Sequence, residues 1–455
     1  MRLGPERWGF LGTLLMAVGC GGAEPQAAQG IVVVCLDTLR ADRLGVMGHS
    51  GGLTPNLDRF ASEGVLFRQA YAQANETVLS HASLFTGVEA SMWGAFDADY
   101  KLPSDARTLA GRLHGAGWDT AAVVAGGHMS RAFGLQAGFG HYDDALDWAS
   151  LADTGPRALQ WLDARSPEQP FLLFVHAYDT HDRYLKPTPF GYSRADRDHM
   201  GIGRDLGRTA GAASQVADGA WLGASNVLER LALERPQFNR AQGAASASQA
   251  MPLTPSDTAH LAGLYDGSVA WADAAFGLFM ADLDARGRLD NTWVVVLADH
   301  GHALGAEGFF HHRFDLSDET LHVPLLIRPP GGLAAPIEVD GLVELLDVTP
   351  TLLVLAGLTP DPELRGKSLW DGAWRAPEHP VVRSEGRLRM LSVRNGGGRL
   401  VAEGVDVGAR DGADSFASAS LDGGSFRFEG AARDAEPLRS ALVGWRRNLQ
   451  TAVRP

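Results

Sequence analysis

Two acids and a threonine stand where a metal-assisted nucleophile would need them. Ile31-Val-Val-Val-Cys-Leu36 is a continuous apolar run that ends abruptly at Asp37. Trp293-Val-Val-Val-Leu-Ala298 is a second such run, ending at Asp299-His300-Gly301-His302. Between them lies Asn75-Glu-Thr-Val-Leu-Ser-His-Ala-Ser-Leu-Phe-Thr-Gly87, where small hydroxylated residues crowd the front of a short helical pattern. Carboxylate oxygen and imidazole nitrogen are good ligands for divalent metals. A hydroxyl at a helix N-terminus meets free N–H groups and a partial positive charge, a setting that suits an oxyanion. Asn75 or Thr77 could cap that helix, and a hydroxyl so placed can be both cap and nucleophile. One capped helix, or one acid at a strand end, would be unremarkable; here they occur together.

These residues depend on strands and helices to bring them together. Unbroken β-branched runs read as strands buried on both faces of a parallel sheet. In open α/β sheets, ligands bind at the carboxyl ends of the strands. If the two strands are parallel, Asp37 and Asp299 emerge at one sheet edge, and Asp37, Thr77, Asp299 and His300 make a single four-ligand site. Residues 120–125 and 171–177 read as further strands, delivering Gly126-Gly127-His128 and Tyr178-Asp179-Thr180-His181. Residues 54–64, 108–113 and 261–283 carry helical apolar spacing, the first stopped by Gly64. The fold class is therefore α/β, a large mostly parallel central sheet flanked by helices.

Composition sets outer limits. A chain of 455 residues can bury a large core. The net charge of −14, from 40 basic and 54 acidic side chains, argues for solubility and against nucleic acid as a partner. Hydrophobic residues at 45% exclude wholesale disorder, and 55 glycines and 23 prolines indicate many loops. Neither internal repeats nor nucleotide-cradling glycine loops stand out.

The first 20 residues read as a targeting segment. Arg2 and Arg7 precede an apolar run from Trp8 to Val18, too short to span a bilayer permanently. Ala17-Val18-Gly19-Cys20 resembles a bacterial lipoprotein processing site, which implies export, cleavage before Cys20 and a lipid on its thiol at the periplasmic side of a membrane. An ordinary cleaved signal peptide is the alternative. Residues 21–30 read as a tether, and Cys35 as a buried strand cysteine. Residues 190–256 carry no strand pattern and read as an insertion or lid. From about residue 374 the pattern weakens into a small C-terminal subdomain with possible strands at 381–382 and 390–393 and a closing helix at 438–449.

The stretch around Thr77 resembles the signature of the sulfatase family in the alkaline-phosphatase superfamily: Cys or Ser, any residue, Pro, Ser, Arg, then Thr-Gly. Residues 31–370 carry the resemblance. Thr77 takes the nucleophile position, Leu79 replaces Pro, Ser80 is retained and His81 replaces Arg; Thr38 stands where many members carry a second Asp. The resemblance implies that His181 and His312 hold substrate oxygens or protonate a leaving group, that His81 neutralises charge in place of Arg, and that His128 lies near the transferred group. It implies a sulfuric- or phosphoric-ester hydrolase of a small anionic ester or an envelope glycan or lipid, using one divalent ion. The His ligand and the lost acid lean towards zinc or manganese, and family habit towards calcium. Threonine cannot become formylglycine, so phosphorus esters are expected over sulfate esters. The alternatives are a phospho-head-group transferase and a catalytically silent binding lipoprotein.

Overall fold

The computed structural model describes residues 29–93, 100–181, 255–304, 310–312, 316–379 and shorter stretches from 381 to 445. The leader, Cys20, most of the tether and nearly all of the 190–256 segment lie outside the described residues.

The two apolar runs form neighbouring strands. β1 (Gly30–Leu36) is buried along its whole length, as is β6 (Thr292–Leu297). They pair in parallel, with Val32 opposite Val294 and Val34 opposite Val296. On its other side β1 pairs in parallel with β5 (Phe171–Ala177), which pairs in parallel with β3 (Asp119–Val123), and β3 with β4 (His141–Asp143). This five-strand parallel block explains the unbroken apolar runs, since helices cover both faces.

Beyond β6 the sheet changes character. β10 (Leu325–Arg328) runs antiparallel to β6 and to β2 (Val65–Tyr71), and β2 pairs in parallel with β11 (Ile337–Glu344). The full path is β11-β2-β10-β6-β1-β5-β3-β4, with a short strand, β9 (His322–Val323), against β2, while β7 (Ala303–Leu304) and β8 (Phe310–His311) pair with each other apart from it. The expected α/β architecture with a large, mostly parallel sheet is therefore present. A separate antiparallel sheet joins β12 (Val382–Gly386), β13 (Met390–Asn395), β14 (Gly398–Glu403) and β15 (Ser425–Gly430). Its inner residues Leu391, Val393 and Leu400 pack with Leu438, Leu442 and Trp445.

Helices follow their capping chemistry. α1 (Pro55–Ser62) begins on proline, α3 (Leu109–Gly115) is capped by Thr108 accepting from the Gly111 N–H, and α4 (Leu151–Ala164) opens on a Ser150–Asp153 capping box. α2 (Thr77–Thr86) is different: every residue in it is buried. Two of its hydroxyls are satisfied internally, Ser83 to the Leu79 carbonyl at 2.9 Å and Thr86 to the Ala82 carbonyl at 2.7 Å. It stops at Gly87, whose φ of +73° a side chain would resist. α5 (Pro255–Ala285) is a 31-residue helix that buries Tyr265, Val269, Ala272, Phe276 and Leu283. No helix among the described residues is long and apolar enough to cross a membrane.

Candidate active site

Parallel strands deliver their loops to one edge, and the chemistry collects there. Asp37 follows β1 directly, and Asp299 follows β6 by one alanine. α2 aims its first residue, Thr77, at the same place. Glu76 occupies the N-cap position without a side-chain cap bond, so neither Asn75 nor Thr77 is the cap. Thr77 is the first helical residue, and its hydroxyl serves the cluster instead. Its Oγ1 donates to Asp37 Oδ2 at 3.3 Å and lies 3.4 Å from His300 Nε2. His300 Nε2 is in turn 3.4 Å from Asp299 Oδ2. The four expected ligands are thus together, and all are buried.

The loop after β1 is held in an unusual conformation. Thr38 has φ +65°, a region that β-branched residues avoid at a cost of about 1–3 kcal/mol. That geometry turns its N–H to Asp299 Oδ1 at 3.3 Å, while its hydroxyl donates to the Asp37 carbonyl at 2.7 Å. The Tyr265 hydroxyl of α5 donates to the Thr38 carbonyl at 2.7 Å and accepts from the Arg40 N–H at 3.0 Å. Ser80 ties α2 to the second loop, donating to the Asp299 carbonyl at 2.6 Å. At the position of the absent second acid the chain thus offers Asp299 a backbone donor and no carboxylate.

The electrostatics fit a cation. Burial and then the Asp299 charge push the Asp37 carboxyl well above its usual range. Burial also opposes ionisation of Asp299, but His300, His81 and His176 outweigh it and hold its pKa below normal. Two adjoining buried carboxyls resist being ionised together unless positive charge joins them. Asp37 Oδ1 is buried without a hydrogen-bond partner among the described residues. One ligand atom each from Asp37, Asp299 and His300 lies within 4.8 Å of the others. Ligands bound at about 2.0–2.1 Å in a tetrahedron sit about 3.3–3.4 Å apart, and the contacts of Thr77 and His300 fall at 3.3–3.4 Å. These residues therefore fit a divalent ion. The His300 Nδ1–H donates to the Gly301 carbonyl at 3.0 Å, which leaves Nε2 as the inward lone pair.

The remaining predicted histidines occupy different positions. The His312 Nδ1–H donates to the Asn75 carbonyl at 2.7 Å, and its ring is 4.3 Å from His300 and 5.3 Å from His181. His181 lies just after β5, against Trp148 at 5.1 Å and Tyr178 at 5.3 Å. His128 is half-buried after β3 and reaches this group through Trp148, 5.8 Å away. His81 does not match its expected role. It lies beneath Thr77, donating Nδ1–H to the Thr77 carbonyl at 2.8 Å, with its ring among Phe85, Phe174 and His176. Burial lowers its pKa to about 4, so at neutral pH it supplies no positive charge. His302 was not singled out from sequence; it is buried, 6.0 Å from both Tyr265 and His312. Trp148, with φ +51°, was also missed, because a loop aromatic carries no periodic signal.

Known proteins share this architecture. An arylsulfatase of Clostridium perfringens is 24% identical over 75% of this chain and 77% of its own length. A protein solved in complex with its substrate D-glucosamine-2-N,6-O-disulfate matches with a TM-score of 0.66 at 19% identity, over 94% of this chain and 98% of that one. The phosphonate monoester hydrolase of Agrobacterium radiobacter matches with a TM-score of 0.65 at 17% identity, over 93% and 95%. At those identities the solved structures speak for the fold. The sulfatase family model matches residues 29–358, most of the chain, and the protein belongs to the sulfatase family of ester hydrolases.

Proposed function

We propose that this protein is an exported, metal-dependent hydrolase of small anionic phosphorus esters, with Thr77 as its nucleophile. The observation that carries this reading is the Thr77 hydroxyl, 3.3 Å from Asp37 Oδ2 and 3.4 Å from His300 Nε2 at the head of a buried helix. A divalent ion held by Asp37, Thr77, Asp299 and His300 would lower the hydroxyl pKa and polarise a substrate oxygen. Thr77 Oγ1, its proton released to water, would attack phosphorus, the bond to the leaving oxygen would break, and His181 or His312 would give that oxygen a proton. Water would then cleave the phosphothreonine ester and restore the hydroxyl.

Relatives that hydrolyse sulfate esters and phosphonate monoesters both share the fold, so kinship leaves the ester class open. The side chain narrows it. Threonine bears a methyl group on Cβ and a single hydroxyl, so it cannot form an aldehyde hydrate and expel sulfate by elimination. A sulfate ester on threonine would need water to attack sulfur, which is harder than resolving a phosphate ester. A panel of aryl sulfate, phosphate monoester, diester and phosphonate, run with zinc, manganese and calcium in turn, tests this. Phosphorus esters should turn over fastest; an aryl sulfate faster than all of them would overturn the reading. The leader and Cys20 support anchoring as a lipoprotein on the periplasmic side, so Cys20→Ser should shift the protein from membranes to the soluble fraction.

A further inference from the structure

Directly beneath the four-ligand cluster lies a second group of metal-binding side chains that the proposed reaction does not use. Cys35 on β1 and His176 on β5 are register partners in adjacent parallel strands, so their side chains leave the same face of the sheet. His81 of α2 comes down onto that face, its Nε2 3.5 Å from Cys35 Sγ. One ligand atom from each of the three lies within 4.8 Å of the others, and all three residues are buried.

The hydrogen bonds around the group set its lone pairs. The Thr77 carbonyl can only accept, so His81 Nδ1 carries the proton and Nε2 presents its lone pair to the thiol. His176 Nε2 lies 3.2 Å from Asp37 Oδ2 and donates to that carboxylate. Its Nδ1 is then an acceptor, and it has no hydrogen-bond partner among the described residues. Imidazoles that bind metals are commonly oriented in this way, with the far N–H on a carbonyl or carboxylate. Sulfur and nitrogen bound to one tetrahedral zinc, at about 2.3 and 2.0–2.1 Å, are about 3.5 Å apart. That is the Cys35–His81 separation.

We propose that Cys35, His81 and His176 bind a second divalent ion of the zinc class, a buried thiolate-ligated site set behind the catalytic cluster. The two sites would share their carboxylates. Asp37 Oδ2 touches Thr77 on one side and His176 on the other, and Asp299 Oδ2 lies 3.4 Å from His300 and 3.5 Å from His81. The inner ion is shielded from substrate by Thr77 and both acids, so it orients these carboxylates and takes no part in bond making. Binding replaces the thiol proton with the metal, and the proton leaves to solvent as the ion enters during folding.

The test is metal stoichiometry on the purified full-length protein, with zinc and then cobalt. The wild type should hold two zinc equivalents, and X-ray absorption should show one sulfur neighbour shared over two zinc ions. Cobalt-loaded wild type should show thiolate-to-metal charge-transfer absorption in the near ultraviolet. Cys35→Ala, a small change within a strand, should lose one equivalent and that absorption while keeping the other ion. One equivalent in the wild type with no sulfur neighbour would overturn the second site while leaving the outer cluster intact. Asp299→Ala should lose the outer equivalent and keep the cobalt–thiolate absorption of the inner one, which separates the two ions; absence of that absorption in both the wild type and Asp299→Ala would overturn the second site.

Discussion

Thr77 carries the chemistry at the scale of single residues. Thr77→Ala removes the attacking atom and should lower turnover by about a thousandfold or more, whereas Thr77→Ser keeps the oxygen and should retain much of it. Steady-state kinetics on the best phosphorus ester, with mass spectrometry of the trapped peptide, would check both. Undiminished turnover by Thr77→Ala would refute the assignment. Asp299 works differently, since it contacts His300, His81 and the Thr38 N–H at once. Asp299→Ala should abolish the metal of the outer cluster and turnover with a near-native far-ultraviolet circular dichroism spectrum. Metal content equal to wild type in that variant would remove Asp299 from the ligand set. Thr38 shows how one residue can be strained to useful effect: its left-handed backbone spends about 1–3 kcal/mol to aim an N–H at a ligand oxygen.

Among the elements, the strand-end loops are positioned by helices distant in sequence. α5 reaches the β1 loop through the Tyr265 hydroxyl, which is buried and bonded on both its donor and acceptor sides. Tyr265→Phe leaves the ring in place and strands the Thr38 carbonyl and the Arg40 N–H. A loss of about 1–3 kcal/mol in denaturant unfolding is expected, together with weaker metal binding as the loop loosens. Unchanged metal affinity would mean that the strained loop holds itself. α2 supports the second loop through Ser80, and because it is buried all round it cannot shift without moving Thr77.

At the level of the whole molecule, buried acids stitch the C-terminal sheet to the main core. Glu385 of β12 accepts from the Ser91 N–H at 3.1 Å and from the Ser91 hydroxyl, and its own N–H donates to the Gln73 carbonyl at 2.7 Å. Burial, with neighbouring Glu89, raises its pKa to about 8 from 4.5. Glu344, bonded to the Arg383 N–H, is raised to about 7, chiefly by burial. A raised carboxyl means that the folded state binds the proton more tightly than the unfolded state. Its contribution is fully present below pH 4.5 and is lost as pH climbs through about 7 to 8. Melting temperature should therefore fall between pH 5 and 9 by more than in Glu385→Gln, which keeps the shape of the protonated acid. Parallel pH profiles for the two proteins would remove Glu385 as the cause.

The sequence alone determined where the main strands end and which chemical groups stand there. Asp37 and Asp299 are legible because an unbroken β-branched run stopped by an acid has few other readings, and Thr77 because hydroxyls crowd the head of a short helix. The C-terminal sheet was only half legible: β12 and β13 showed in the pattern, while β14 and β15 did not. Tertiary structure decided everything that depends on which strands are neighbours. Periodicity reports the face of a residue but not its partner, so nothing local places Cys35 beside His176, 141 positions away. Nor does helical spacing say that His81 turns under Thr77 towards the sheet, where burial leaves it uncharged, or that Thr38 adopts a positive φ. Those outcomes follow from sheet register, from the burial of α2 on all sides and from the Tyr265 contact, which come into being only when the chain is packed.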